Sequence, residues 1–182
     1  QLEREKLKRL KTTRAATLDG TRVELHANIE LPEDVHQAKE NAAAGIGLFR
    51  SEFLFLNRQQ LPSEDEQFEA YRKVAVEMGP LPVTIRTLDI GADKYPSYIR
   101  SASVEPNPFL GWRSIRISLE VEEVFKTQLR AILRAGDLGR VRMLIPMVSS
   151  LEEILKIKEL LGEAKDELRH EGTPFDRQME LG

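Results

Sequence analysis

Short apolar runs with strand character alternate along this chain with longer segments whose apolar residues recur at helical spacing. The strand-like runs cover residues 23–29, 45–55, 82–90 and 141–148, and a fifth begins within residues 178–182. One parallel strand can follow another only through a long crossover connection, for which a helix is the usual solution. The alternation therefore predicts an α/β fold with a parallel sheet.

The segments between these runs carry the usual boundary signals of helices. Ser63 with Glu66, and Ser150 with Glu153, have the spacing of a capping box. Residues 115–135 are predicted to be mostly helical. The predicted inner faces are Val35, Ala38 and Ala42 in the first helix, Phe68, Tyr71, Val74, Ala75 and Met78 in the second, Phe125, Leu129, Ile132 and Leu133 in the third, and Leu151, Ile154, Leu155, Leu161 and Leu168 in the last.

Two architectures fit this order of elements, a doubly wound sheet and a (β/α)8 barrel. No GxGxxG run follows the first strand, which weakens the dinucleotide-binding form of the doubly wound sheet. A complete barrel needs roughly 250 residues, so the chain is expected to hold about the first half of the strands. Residues 1–16 are predicted to be a charged helical linker from an upstream domain, or a solvated helix without a partner. Residues 17–182 are predicted to form the partial barrel.

Composition excludes several classes of protein. Of the 182 residues, 41% are hydrophobic and 31% are charged, and the net charge is -3. The chain therefore lacks the overall positive charge that favours nucleic acid or anionic lipid. It has no cysteine for disulfides or thiolate zinc sites, and no apolar run approaches the ~20 residues of a membrane span. We expect a cytoplasmic protein without membrane insertion or nucleic-acid binding.

Two arginines fall where strands of the predicted sheet end. Arg50 follows GIGLF and Arg86 follows PVTI, and active sites of α/β barrels lie at the carboxyl ends of the strands. A buried arginine needs an anionic partner. One alternative is a salt bridge to Glu52 or Asp89. The other is a phosphate or carboxylate ligand, which paired guanidinium groups commonly hold.

Further cations lie in the segment that follows. Arg113 is expected to share a helix face with Arg116, and a pairing with Glu120 is the alternative. Lys94, in the GADK loop, is either a phosphate ligand or a solvated side chain. The three histidines stand in unrelated settings without the spacing of a metal site, so no metal ligand is predicted within this chain.

Several runs resemble, in order and spacing, signature segments of Enzyme I, the bacterial phosphoenolpyruvate–protein phosphotransferases. They are GIGLFRSEFLF, LPSEDEQFEAYRKV, TIRTLDIGADK, NPFLGWRSIRI, QLRAILRA and LIPMVSSLEE, and the resemblance extends from about residue 17 to residue 182. Similar arginine runs occur in pyruvate phosphate dikinase and phosphoenolpyruvate synthase. The PSEDEQ and LDIGADK runs favour Enzyme I.

The resemblance implies a truncated phosphoenolpyruvate/pyruvate-type (β/α)8 TIM barrel and a role in phosphoryl transfer. Enzyme I moves the phosphoryl group of phosphoenolpyruvate to a histidine of its own N-terminal domain, with Mg2+, and then to the carrier protein HPr. The parent system serves either sugar transport or the nitrogen-linked paralogous branch. Arg50 and Arg86 would grip the phosphoryl group, and Lys94 and Arg113 would line the same site.

The resemblance also implies what the chain lacks. The magnesium ligands and the remaining catalytic groups are expected beyond Gly182, so no catalytic residue is predicted here. The full-length protein is expected to be a homodimer. The alternatives are a piece of a dikinase or synthase, and a non-catalytic dimerisation module.

Overall fold

A computed structural model describes residues 11, 13–56, 58, 60–91 and 113–182. The strands are β1 Ala27–Ile29, β2 Ile46–Arg50, β3 Val83–Arg86, β4 Val141–Leu144 and β5 Glu180–Leu181. The helices are α1 Asp34–Glu40, α2 Glu64–Met78, α3 Ile115–Glu120, α4 Glu122–Gly136 and α5 Leu151–His170, and a short 3-10 helix covers Ser51–Leu54.

The five strands form one parallel sheet in the order β1-β2-β3-β4-β5. Each strand therefore pairs with the next one in the sequence. A doubly wound sheet reverses its strand order at a switch point, and no reversal occurs among the described strands. The predicted α/β fold class is confirmed, and the strand order is that of a partial barrel.

The helices cover one face of this sheet. Val83 and Ile85 of β3, and Val141 and Met143 of β4, are buried in one cluster with the inner faces of α2, α4 and α5. The residues that alternate with them are only half-buried. The prediction that residues 141–148 form a strand buried on both faces was wrong, because β4 ends at Leu144 and only one of its faces packs on helices.

Both predicted capping boxes are present. The Glu66 amide donates to the Ser63 hydroxyl at 3.2 Å, and the Ser63 amide donates to the Glu66 carboxylate at 2.8 Å. The same reciprocal pair joins Ser150 and Glu153 at the start of α5. These bonds satisfy amide groups that the first helical turn leaves without partners, and so they determine where α2 and α5 begin.

Other predicted boundaries were wrong. The first strand covers only the end of residues 23–29, β2 ends at Arg50, and β3 ends at Arg86. Residues 115–135 are mostly helical, as predicted, in two helices divided at Val121, whose backbone is not helical. The linker expected at residues 1–16 lies largely outside the described residues.

Two helix faces also differ from the prediction. Ala42 lies beyond the end of α1 and is exposed. In α5, Leu151, Ile154 and Leu155 are exposed. The buried face of α5 consists of Ile157, Leu160, Leu161, Ala164 and Leu168. The apolar stripe of α5 is wider than its contact with the core, so periodicity alone does not identify which edge is buried.

Candidate functional site

Arg50 and Arg86 are the last residues of β2 and β3 and face each other in the register of the sheet. The two strands are parallel, so both arginines stand at the same carboxyl edge. The strand-end argument predicted this placement. In an α/β barrel, this is the edge at which substrates bind.

Carboxylates that follow the strands pair with these arginines. Arg50 Nη2 lies 2.6 Å from Glu30 Oε1, just after β1. Arg86 Nη2 contacts Glu52, and its Nη1 lies 3.2 Å from Asp89 Oδ2. The salt bridges considered as an alternative are therefore present for Arg86. Arg50 instead forms its ion pair with Glu30, which the sequence analysis missed. The position of Glu30 directly after the first strand could have predicted that it lies at the same edge of the sheet.

Arg113 joins the same cluster through Asp89. Its Nη2 lies 3.1 Å from Asp89 Oδ1, and its backbone pairs with that of Gly91 in an isolated antiparallel β-bridge. Helix α3 begins only at Ile115, so Arg113 precedes the helix and does not share a helical face with Arg116 as predicted. Three arginines and three carboxylates thus form one cluster, which we call the strand-edge cluster: Glu30, Arg50, Glu52, Arg86, Asp89 and Arg113. Lys94 lies outside the described residues.

The centre of the strand-edge cluster is largely removed from water. The side chains of Arg86, Glu52 and Asp89 are 19%, 11% and 14% exposed. At this depth a charge without a partner would strongly destabilise the folded state. The ion pairs therefore hold the arginine side chains in place, each acid contacting at least one guanidinium.

The ion pairs leave buried hydrogen-bond donors unused. Within the described part of the chain, the Nε atoms of Arg50, Arg86 and Arg113, and of Arg142 outside the cluster, are buried and have no hydrogen-bond partner. One acceptor, Glu52 Oε2, is in the same condition. A guanidinium carries five N–H donors, and buried polar groups are normally satisfied. The formal charges of the cluster are balanced, and its unused buried donors outnumber its one unused acceptor, so a further hydrogen-bond acceptor would complete it.

A buried glutamine of α4 lies behind the cluster. Gln128 Nε2 donates to Ser51 Oγ and to Tyr71 Oη, both at 3.0 Å, and Gln128 Oε1 accepts from the Leu88 amide at 2.8 Å. Burial raises the pKa of the Tyr71 phenol above its ordinary value, because an ionised phenolate would lose its hydration. Tyr71 therefore stays neutral, and Gln128 links it to the segments that follow β2 and β3.

Arg116 lies near the start of α5 rather than in the strand-edge cluster. Burial raises the pKa of Glu153, but amide donors of Ser149 and Ser150 and the charge of Arg116 outweigh it, so the pKa is lowered overall. Arg116 thus supports the charged form of a helix-capping carboxylate.

The described residues contain no group of three or more His, Asp or Glu side chains arranged to hold a metal ion. The acids of the strand-edge cluster are each paired with an arginine. These side chains do not fit a divalent cation, so no step is assigned to a metal at the strand-edge cluster. None of the described helices is long and apolar enough to cross a membrane.

Consecutive parallel strands, helices on the outer face and charged groups at the strand ends define a barrel-type α/β domain. The chain belongs to the family described as PEP-utilising enzyme, PEP-binding domain, whose model matches residues 4–182. The family resemblance seen in the sequence is thereby confirmed.

Curated relatives agree with this family. A phosphoenolpyruvate-protein phosphotransferase from Cupriavidus necator is 50% identical over 184 residues, covering 100% of this chain. Proteins of the same name from Haemophilus influenzae and Staphylococcus aureus are 47% and 44% identical over 180 residues, covering 99% of this chain. The chain spans 31% of the length of each of these relatives.

Proposed function

We propose that the strand-edge cluster binds the phosphoryl group of phosphoenolpyruvate in a phosphoenolpyruvate–protein phosphotransferase. The observation that carries the proposal is the placement of Arg50, Arg86 and Arg113 together at one strand edge, each with a buried Nε donor that has no hydrogen-bond partner. Phosphoryl oxygens accept hydrogen bonds and do not donate them, so they can pair with these unused N–H donors. The names of the relatives support the choice of phosphoenolpyruvate as donor.

The carboxylates of the strand-edge cluster hold the arginine side chains in position and do not occupy the place of the phosphoryl ligand. Glu30 and Asp89 each engage terminal nitrogens of a guanidinium, and this leaves other N–H groups of the same fork for a phosphoryl oxygen. Phosphoryl transfer demands mainly positioning and fixed positive charge around the transferring oxygens. Arginines already held by carboxylates supply that charge without reorganising when the substrate arrives. Lys94 would add a further cation from its loop.

A purely structural role for the ion pairs is the competing interpretation. It explains why the arginines are tolerated at this depth, because each has a carboxylate partner. It does not by itself explain why, of the four arginines with a buried, unsatisfied Nε among the described residues, three lie at one strand edge.

For the whole protein, we propose transfer of the phosphoryl group to a histidine in another domain and then to the carrier protein HPr. A Mg2+ ion would neutralise charge on the phosphoryl oxygens, held by ligands outside this chain. We further propose a cytoplasmic homodimer that serves sugar transport. The relatives' name, which specifies a protein as acceptor, favours this function over a dikinase or synthase.

The test is autophosphorylation of the full-length protein with phosphoenolpyruvate labelled in its phosphoryl group. Arg50→Ala should lower the rate by about a hundredfold or more, which is typical for loss of one transition-state donor. Arg72→Ala is the matched control, because Arg72 also forms an ion pair, with Glu69, but lies on the exposed side of α2. Equal rates for the two variants would contradict the assignment of the strand edge as the phosphate site.

A further inference from the structure

Gln128 is a polar side chain on the buried face of α4. It is 1% exposed, and its neighbours on that face include Phe125, Leu129 and Ile132, which belong to the hydrophobic core. Burying an amide is unfavourable unless its polar atoms are hydrogen-bonded. All three of its recorded bonds reach residues at least 40 positions away in the sequence, so the amide joins distant segments and does not stabilise its own helix.

Two of those bonds connect the segments that carry the strand-edge cluster. Ser51 stands between Arg50 and Glu52, and its hydroxyl accepts from Gln128. Leu88 immediately precedes Asp89, and its amide donates to the same side chain. One side-chain amide therefore bridges the two chain segments just after the points where β2 and β3 end.

We infer that Gln128 is a positioning residue for phosphoenolpyruvate binding, which fixes the spacing between the segments after β2 and β3. The inference rests on the proposed function of the strand-edge cluster. The Arg86 side chain pairs with Glu52 from one segment and with Asp89 from the other. If the two segments shift relative to each other, Arg86 cannot keep its ion pairs with both Glu52 and Asp89. The guanidinium groups of Arg50 and Arg86 are then no longer placed to bind one phosphoryl group.

The third bond of Gln128 anchors the bridge to the core. Tyr71 is fully buried in α2, donates to Gln67 at 3.4 Å, and accepts from Gln128. Gln67 in turn donates to the carbonyl of Pro62. Gln67 therefore belongs to the same buried network but has no recorded bond to Ser51 or Leu88 among the described residues, and this makes it a matched control.

The experiment compares Gln128→Met with Gln67→Met in the full-length protein. Both changes replace a glutamine that is 1% exposed by an apolar side chain of similar length. The affinity for phosphoenolpyruvate is measured by titration calorimetry, the kcat and KM of autophosphorylation by kinetics, and the protection of the Leu88 amide by hydrogen exchange. Thermal melting identifies a temperature at which every variant is folded.

We expect Gln128→Met to weaken phosphoenolpyruvate binding and raise KM on the order of tenfold, because small misplacements of binding groups have effects of at least this size. Gln67→Met should leave both values within about twofold of the original, since it keeps the bonds of Gln128 to Ser51 and Leu88. Protection of the Leu88 amide should fall only in Gln128→Met.

Ser51→Ala serves as a second variant if Gln128→Met does not fold, because it removes one bond of the bridge without changing α4. It should raise KM in the same direction. Equal effects of Gln128→Met and Gln67→Met, or unchanged binding in both Gln128→Met and Ser51→Ala, would overturn the inference. If Arg86→Met abolishes binding while the Gln128 and Ser51 variants bind normally, the inference fails and the proposed function stands. If Arg86→Met itself binds normally, the proposed function fails.

Discussion

Replacing Arg86 by methionine is the most direct perturbation of the strand-edge cluster. Arg86 is the only arginine of the cluster with a recorded ion pair to two different acids among the described residues, Glu52 and Asp89. Methionine preserves much of the aliphatic length and removes the charge. Asp89 would keep Arg113 as a partner, whereas Glu52 would lose its recorded partner.

Two separate magnitudes follow from this geometry. Breaking a fully buried ion pair costs about 3–5 kcal/mol. Arg86 is 19% exposed, so water screens part of the loss, and we expect a destabilisation of about 2–3 kcal/mol. The effect on phosphoryl transfer is distinct, and loss of one preorganised donor corresponds to about a hundredfold or more in rate.

Arg130→Met is the control that separates these two effects. Arg130 is 12% exposed and pairs with Glu64, Glu167 and Glu171 on α2 and around the end of α5. Glu64 keeps a second partner in Arg134, just as Asp89 keeps Arg113. The control therefore removes an arginine of similar burial from an ion-pair network that has more exposed acids and does not involve the strand-edge residues.

The assay is autophosphorylation of the full-length proteins by phosphoenolpyruvate, with urea unfolding of the same samples. We expect Arg130→Met to lose stability and keep near-normal transfer, and Arg86→Met to lose both. Arg86→Lys should recover little of the rate, because an ammonium lacks the planar fork that engages two oxygens. Near-normal autophosphorylation by folded Arg86→Met would refute the phosphate-site assignment.

Three further predictions concern the fold. In Gly45→Ala the added Cβ would lie 2.6 Å from the carbonyl oxygen of Pro82, so urea unfolding should show a loss of about 1–3 kcal/mol from overpacking. Gly162→Ala, with open space around the new Cβ, should instead gain about 0.5–1 kcal/mol; two equal changes would contradict this. The Ser63 amide and Arg58 lower the pKa of Glu66, so its stabilising effect should be present above about pH 4.3 and fade as the pH falls through the lower folded value. The urea unfolding midpoint of Glu66→Gln should therefore depend less on pH in the acid range than that of the original protein. The same pH profile for both proteins would contradict this prediction. The outer edges of β1 and β5 have no partner among the described strands, so residues 1–182 expressed alone should associate through them; a monodisperse monomer in sedimentation, with a cooperative melt, would speak against a partial barrel.

The sequence alone was sufficient for features that depend on neighbouring residues. Helical and strand-like patterns alternate over short windows, so the α/β class could be predicted. The two capping boxes were identified for the same reason, since Ser63 and Glu66, and Ser150 and Glu153, are only three positions apart. Arg50 and Arg86 were also placed at strand ends from local pattern, although the strand-like runs themselves extended to residues 55 and 90. Their role in binding phosphate stays a prediction.

Only the tertiary structure decided which residues meet. Three features depend on contacts between residues that are far apart in the sequence. They are the barrel-type strand order, the pairing of Arg50 with Glu30, and the bridge from Gln128 to Ser51 and Leu88. The buried edge of α5 was also undetermined, because its apolar stripe exceeds the area that the core covers. Periodicity specifies which face of an element avoids water, but the identity of the partner depends on how all the elements pack together, which no local window of sequence contains.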